Sequence, residues 1–361
     1  MRLFNFFLIG LSVLLAGLSS IASAAPSVQV VYRGLDSPWG LAEVAPGKLL
    51  VSEKGGNFVL VDVQSGDARD IAGAPKVVAN GQGGLLDVAV PRNYKAGGWI
   101  YFTYSAPVQG EAATALARAK LNLKSGMLTD RQTLLVTTSV SDTSRHFGSR
   151  IAFDDDHVFF TVGDRGVREN GQDLRTHAGT VIRLKRDGSV PEDNPFIESE
   201  QGLDEIWSYG HRNAQGITFD AEGRLWVIEH GPRGGDELNL IAKGENYGWP
   251  VVSQGKEYWG PFDVGVKEKD GMQPAAKVYV PSIAPGSLIS VRSDKYGWKG
   301  DLLSGALKLT HLNRIVMKDG KPVDEERYFE ERGQRLRALL EDSEGVIFIA
   351  TDAGELWRLD P

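Results

Sequence analysis

Most of the chain repeats one phrase, and that phrase constrains the fold more than any other feature. A small or basic residue leads into an apolar strand, an Asp/Gly turn follows, and a second apolar strand ends in an acidic or Gly-rich loop. The phrase occurs at Trp39-Gly40-Leu41-Ala42 with Leu49-Leu50-Val51, at Gly84-Leu85-Leu86-Asp87-Val88 with Trp99-Ile100-Tyr101-Phe102, and at Arg150-Ile151-Ala152-Phe153 with Val158-Phe159-Phe160. It returns at Gly216-Ile217-Thr218-Phe219 with Leu225-Trp226-Val227, at Ser287-Leu288-Ile289-Ser290 with Asp301-Leu302-Leu303, and at Arg337-Ala338-Leu339-Leu340 with Val346-Ile347-Phe348-Ile349. The starts at 40, 84, 150, 216, 287 and 337 leave 44 to 71 residues per copy, room for a four-stranded sheet with variable loops. Short apolar runs broken by turn residues mark strands, and helical periodicity is scarce. Repeats of this size, packed radially, leave only short sheet edges, which predicts an all-β six-bladed β-propeller. Third strands are expected at 58–61, 180–184, 237–241, 314–316 and 355–359, and Val28-Gln29-Val30-Val31-Tyr32 is expected to close the ring as the outer strand of the last blade. A pair of β-sandwiches with insertions is the alternative that the length permits.

Residues 1–24 read as an address: a head with Arg2, an apolar run, and the small-residue triplet Ala22-Ser23-Ala24. This is the layout of a secretory signal cleaved after Ala24, with an N-terminal membrane anchor as the alternative. The expected mature protein is therefore a single propeller domain, 25–361, exported to the periplasm without stable membrane insertion. The 361 residues include no cysteine, which excludes thiol catalysis, iron–sulfur clusters, thiolate zinc sites and disulfides. With 40 basic against 47 acidic side chains, the net charge of −7 argues against a nucleic-acid partner.

In a propeller, function gathers on the loops at one end of the channel. Five segments stand out. In Asn80-Gly81-Gln82-Gly83-Gly84 the glycines let backbone approach a flat ligand and Gln82 offers a donor and an acceptor, although a plain glycine turn reads the same way. Ser144-Arg145-His146-Phe147-Gly148-Ser149-Arg150 places His146 at the mouth of a strand, as a general base or as a hydrogen-bonded structural His. No nucleophile-elbow motif surrounds Ser144 or Ser149, so a serine triad is unsupported. The adjacent Arg212 and Asn213 in the segment Trp207–Gly216 can clamp a carboxylate and a carbonyl, or lie on the surface. The run Glu229-His230-Gly231-Pro232-Arg233-Gly234-Gly235-Asp236-Glu237, followed by Asn246-Tyr247-Gly248-Trp249-Pro250, offers hard oxygen ligands that suit calcium better than zinc, or forms a metal-free turn. Lys308 and Arg335-Leu336-Arg337 form a basic set. The two arginines share one strand face, which asks for an anion between them unless they merely guard an exposed edge.

Taken in order, these segments resemble the soluble quinoprotein aldose sugar dehydrogenases of the soluble glucose dehydrogenase family. The resemblance runs from Leu35-Asp36-Ser37-Pro38-Trp39-Gly40 to Leu359 and is carried by GQGGLLDVA, RHFGSRIAF, VPEDNPF, EIWSYGHRN, EHGPRGGDELN, NYGWP, GDLLSGALK and RGQRLR. It implies a six-bladed propeller that binds pyrroloquinoline quinone (PQQ) and calcium and oxidises aldoses at the anomeric carbon to lactones, passing electrons to an unidentified acceptor. Carried over, His146 becomes the general base, and Gln82, Arg212, Asn213, Ser253, Tyr258, Lys308, Arg335 and Arg337 contact PQQ. Main-chain oxygens of Gly231 and Pro232 hold the calcium on the quinone, while Glu237 and Tyr247 hold a second, structural calcium. Three departures accompany the match. Arg145 stands where the glucose-specific enzymes carry an acidic residue, which favours the broad-specificity aldose branch; Ala214 replaces a proline; and 259–276 matches poorly. Two readings compete: a calcium-dependent propeller lactonase, which leaves Lys308, Arg335 and Arg337 without a purpose, and a non-enzymatic binding propeller, which is indicated if the channel loops bind no cofactor.

Overall fold

The computed structural model describes residues 26–361, and the expected leader at 1–24 lies outside them. After β1 (Ser27–Arg33), six four-stranded sheets follow along the chain. The first holds β2 (Pro38–Ala45), β3 (Lys48–Glu53), β4 (Asn57–Asp62) and β5 (Ala68–Ile71); the second β6 (Leu85–Ala89), β7 (Trp99–Val108), β8 (Glu111–Asn122) and β9 (Met127–Val136). The third holds β10 (Ile151–Phe153), β11 (His157–Val162), β12 (Thr180–Lys185) and β13 (Ile206–Tyr209). The fourth holds β14 (Ala214–Phe219), β15 (Leu225–Glu229), β16 (Asp236–Ile241) and β17 (Lys277–Tyr279), and the fifth β18 (Ile289–Ser290), β19 (Leu302–Gly305), β20 (Leu312–Lys318) and β21 (Lys321–Tyr328). In the last, β22 (Leu336–Glu341), β23 (Ile347–Thr351) and β24 (Glu355–Asp360) take β1 as the outer strand. This is a six-bladed β-propeller, and no α-helix occurs among the described residues. The repeated phrase falls on the first two strands of every blade, and the N-terminal run closes the ring as expected. Ser27 lies opposite Asp360 and Arg33 opposite Glu355.

Every sheet buries both faces, because each blade is sandwiched between two others. One apolar cluster fills each seam. Leu50, Phe58 and Leu60 of the first blade meet Phe102, Tyr104 and Ala115 of the second, and Phe58 packs edge-on to Phe102 with ring centroids 5.3 Å apart. Leu41, Leu49 and Val51 meet Phe348, Ala350 and Leu356 where the last blade returns to the first. The second blade holds a strand that the apolar pattern hides. β8 is rich in Ala, Lys and Arg, a composition that favours helix. Its partner is decided instead by the hairpin turn Gln109-Gly110, with φ 50° and 92°, which fits the twist of paired strands. Ala113, Ala115, Ala117 and Ala119 are fully or almost fully buried, since only small side chains fit there between sheets.

The innermost strands surround a channel, and one side chain ties them together. Arg150, just ahead of β10, is buried; its Nε donates to Gln215 O at 2.9 Å, and Nη1 donates to Trp39 O at 2.8 Å and to Asp87 Oδ1 at 3.0 Å. Its Nη2 donates to Arg337 O at 3.0 Å and to Gly286 O. These partners belong to, or lead into, the inner strands of the other five blades, so this guanidinium sits on the ring axis. Replacing Arg150 by Leu strands several buried carbonyls and the Asp87 carboxylate. The expected loss of stability is about 3–5 kcal/mol, to be read as a lower urea midpoint.

Candidate functional site

The strands of each blade are antiparallel, so the loop entering the innermost strand and the loop leaving the second strand share one end of the ring. Gln82 precedes β6, His146 precedes β10, Arg212 and Asn213 precede β14, Gly231 and Pro232 follow β15, Lys308 follows β19, and Arg335 precedes β22, on which Arg337 lies. Glu237, the second residue of β16, lies opposite Glu229 at the end of β15. The 242–276 connection, with Tyr247, Ser253 and Tyr258, returns to this mouth through the Trp249 N–H, which donates to Gly210 O at 2.9 Å.

His146 is held in a left-handed backbone conformation, φ 57°, which few non-glycine residues adopt without a reason in the surrounding structure. Its N–H donates to Gln82 Oε1 at 2.7 Å, so part of Gln82 positions His146, and its Nδ1 lies 2.6 Å from Asp164 Oδ1. Asp164 is fixed in turn by Trp249 Nε1 at 2.8 Å and the Gly166 N–H at 2.7 Å. A carboxylate only accepts, so Nδ1 carries the proton and Nε2 keeps its lone pair. A Cβ at Gly163 would stand 2.2 Å from the His146 carbonyl, which explains the glycine next to Asp164. Burial pushes the His146 pKa down, Asp164 pulls it back up, and the charges of Arg212 and Arg145 push it down again; the net value lies below the ordinary 6.5. At neutral pH the ring is therefore an uncharged base.

The cations line the same mouth. Arg212 lies over the Trp249 ring, 5.3 Å from its centroid, and its Nη1 donates to Gly231 O at 2.8 Å and His230 O at 3.2 Å. Its Nε is buried without a partner among the described residues. Asn213 Oδ1 accepts from the Gly148 N–H at 3.2 Å, bracing the segment after His146. Arg335 and Arg337 share a carboxylate after all, but it is internal: Asp352 takes Arg335 Nε at 2.7 Å and Arg337 Nε at 2.8 Å. The chain itself therefore supplies a carboxylate between the two like charges, which corrects the inference that only an outside anion could lie there, and the second positive charge is left uncompensated. Arg335 Nη2 and Arg337 Nη1 still lack a protein partner among the described residues. Lys308 is exposed. Guanidinium N–H groups left over beside an aromatic ring suit a flat polyanion.

The acidic loop forms a second compartment. Gly231, Glu237, Tyr247 and Ser253 line one small cavity with Arg212 and Trp249. Burial, and then the Glu229 charge, push the Glu237 carboxyl up to about 8, the condition of an enclosed carboxylate that a cation would relieve. The Tyr247 hydroxyl is occupied, donating to Leu240 O at 2.6 Å and accepting from the Ala242 N–H at 2.8 Å, which leaves the main-chain oxygen for a metal. Gly231 O keeps one lone pair beside its bond from Arg212. Among the described residues no group of three or more His, Asp or Glu side chains is arranged to hold a metal, so a cation in this cavity would rest mainly on backbone oxygens, beside the Glu229 and Glu237 carboxyls that line it. Ser253 Oγ accepts from the Gly255 N–H at 3.1 Å. Tyr258 is 64% exposed, and no hydrogen bond among the described residues ties it to the other expected contacts.

Sequence reasoning missed Asp164, Trp249 and Asp352. The repeat carried a signal for the first. His146 and Asp164 are separated by 18 residues, as are His211 and Glu229, whose Nδ1 and Oε1 lie 2.8 Å apart in the next blade.

Comparison with known proteins follows the geometry. A family model described as "Glucose / Sorbosone dehydrogenase" matches residues 35–358. The aldose sugar dehydrogenase YliI of Escherichia coli (strain K12) is 34% identical over 367 residues, covering 99% of this chain and 98% of that protein. The solved soluble aldose sugar dehydrogenase from Escherichia coli, in the apo-form, superposes with a TM-score of 0.89 at 34% identity, over 93% of this chain and 100% of that one. The PQQ-bound aldose sugar dehydrogenase from Streptomyces coelicolor superposes with a TM-score of 0.78 at 26% identity, over 93% of this chain and 98% of that one.

The His146–Asp164 pair makes a prediction that needs no substrate. In a histidine NMR titration His146 titrates below 6.5, and Asp164→Asn moves the midpoint lower still, because the carboxylate is what holds the proton on. A midpoint that rises in Asp164→Asn would contradict the pairing.

Proposed function

The chain belongs to the glucose/sorbosone dehydrogenase family, and on that footing we propose that it is a calcium-dependent PQQ enzyme oxidising aldoses at the anomeric carbon, with His146 as the base. The observation that carries the reading is His146 held by Asp164 at Nδ1 and by Gln82 at its N–H, at the mouth that the arginines line. Bound there, PQQ would supply a two-electron hydride acceptor and calcium a Lewis acid. Arg212, Lys308, Arg335 and Arg337 supply the countercharge for its three carboxylates, and Trp249 a face beside Arg212. The remaining contacts assigned to the cofactor are Gln82 through its amide N–H, Asn213, and, at the margin, Ser253 and Tyr258. Carbonyls of Gly231 and Pro232 would hold the calcium beside the cofactor, and Glu237 with the Tyr247 carbonyl a structural one.

His146 Nε2 is placed to take the proton of the anomeric hydroxyl while the anomeric hydrogen departs as hydride with the C–H electron pair, so that the C–O bond becomes the carbonyl of a lactone. Asp164 stabilises the imidazolium formed in that step, and burial of the pair keeps water from competing for the proton. The leader expected at residues 1–24 places the reaction in the periplasm, and no helix among the described residues is long and apolar enough to cross a membrane.

The test is to add PQQ and calcium to the protein and follow reduction of an artificial electron acceptor with a panel of aldoses. Acceptor reduction with lactone formation is expected; lactone consumption without an acceptor would overturn the reading. His146→Ala is expected to lower kcat by about a thousandfold or more while PQQ stays bound. Arg335→Ala is expected to weaken PQQ binding about tenfold or more, read by fluorescence titration. Chelation of calcium should lower the thermal midpoint of the wild type, and Glu237→Gln should shrink that change.

A further inference from the structure

One cation at the mouth is left unspent by this account. Arg168 is held by Glu257 through two bonds of 2.7 and 2.8 Å, Arg335 and Arg337 are held by Asp352, and Arg212 caps two carbonyls. Arg165 is fully buried, with its guanidinium donating to the carbonyls of Ser139 and Thr143. Arg145, next to His146, is exposed, and its guanidinium makes no hydrogen bond or ion pair among the described residues. Its place is defined nonetheless. Its Nε lies 2.8 Å from where a Cβ on Gly166 would stand, and the Gly166 N–H holds Asp164, the partner of His146. Arg145 therefore rests on the turn that supports the base, and its charge is felt at the His146 ring.

A second cation without a carboxylate lies close by. Lys54 Nζ donates to Gly81 O at 3.0 Å, and Gly81 packs so tightly on Ser144 that a Cβ there would stand 2.5 Å from the Ser144 carbonyl. The lip beside His146 thus carries two cationic groups, Lys54 from the turn after β3 with its ammonium on the 80–84 loop and Arg145 from the segment entering β10, and among the described residues no acidic side chain is bound to either. An unpaired guanidinium in water gains from a carboxylate that docks on it in a fixed place, because one partner is already positioned.

We propose that Arg145, supported by Lys54, selects aldoses that carry a carboxylate, the hexuronic acids, by binding that carboxylate while the anomeric hydroxyl faces His146. This rests on the dehydrogenase reading above and names its substrate class. In a hexuronic acid the carboxylate and the anomeric hydroxyl lie on opposite sides of the ring oxygen, so one ring can present one group to Arg145 and the other to the base. The group that leaves, the hydride and the proton are those of the reaction already described; Arg145 is a specificity residue and takes no part in the proton transfer.

The experiment compares D-glucuronate with D-glucose on the PQQ- and calcium-loaded protein, for wild type, Arg145→Gln and Arg145→Lys, at low salt and at high salt. Arg145→Gln is expected to lower the ratio of kcat/KM for glucuronate to that for glucose about three- to tenfold, through the KM for glucuronate; the loss of the Arg145 charge beside His146 acts on both sugars alike and cancels in that ratio. Arg145→Lys regains part of the loss, and salt weakens glucuronate turnover but not glucose turnover. An equal effect of Arg145→Gln on both sugars, or glucose turnover without glucuronate turnover, would overturn the proposal. Calorimetric binding of each sugar keeps the two readings apart. Glucuronate bound through Arg145 with neither sugar oxidised would overturn the dehydrogenase reading and leave the anionic-sugar site standing; glucuronate binding indifferent to Arg145→Gln would overturn the site.

Discussion

A ring of six sheets has one place where all of them can be tied together, the axis, and here that place is filled by a single guanidinium. Arg150 donates to groups of the inner strands, or of the segments entering them, in all five other blades. Arginine suits the position because its five donors spread in a plane and its charge persists at any working pH. The seams between blades are apolar and non-directional, so they resist separation of the sheets but fix their relative heights less firmly. Hydrogen bonds from one rigid fork set those heights, and with them the relative placement of loops that must meet over the channel.

The second organising device is a carboxylate at the end of a blade's second strand that reaches back to the segment entering the inner strand. Glu53 accepts from the Asp36 N–H at 2.7 Å, Asp164 holds His146, Glu229 holds His211 and the Arg212 N–H at 2.7 Å, and Asp352 holds Arg335 and Arg337. One geometry thus does four jobs. In the first blade it ties a turn, in the third it fixes the proton on His146 Nδ1, in the fourth it seats the strand behind Arg212, and in the last it sits between two cations. Chemistry entered the fold by changing what the carboxylate holds, with no change in where it stands.

The repeat made the propeller legible before any coordinate, because radial packing imposes the same apolar phrase on every blade. His146, Arg212, Asn213 and the basic pair were legible as well, since each lies in a polar or Gly-rich loop just ahead of an inner strand. β8 was not: its alanines carry the composition of a helix, and only burial between two sheets makes them a strand. The purpose of Arg335 and Arg337 was half legible. Their spacing asked for an anion, and a carboxylate 15 residues beyond Arg337 answered it from inside the chain.

The sequence by itself determined the number of blades, the closing strand and the end of the ring on which polar loops gather, because strand period and turn residues are local properties. The tertiary structure alone decided which loops touch: that Asp164 rather than a serine partners His146, that Asp352 sits between the paired arginines, and that Arg145 is left without a partner among the described residues. Those facts depend on distances between segments far apart in the chain, and such distances exist only once the ring has closed.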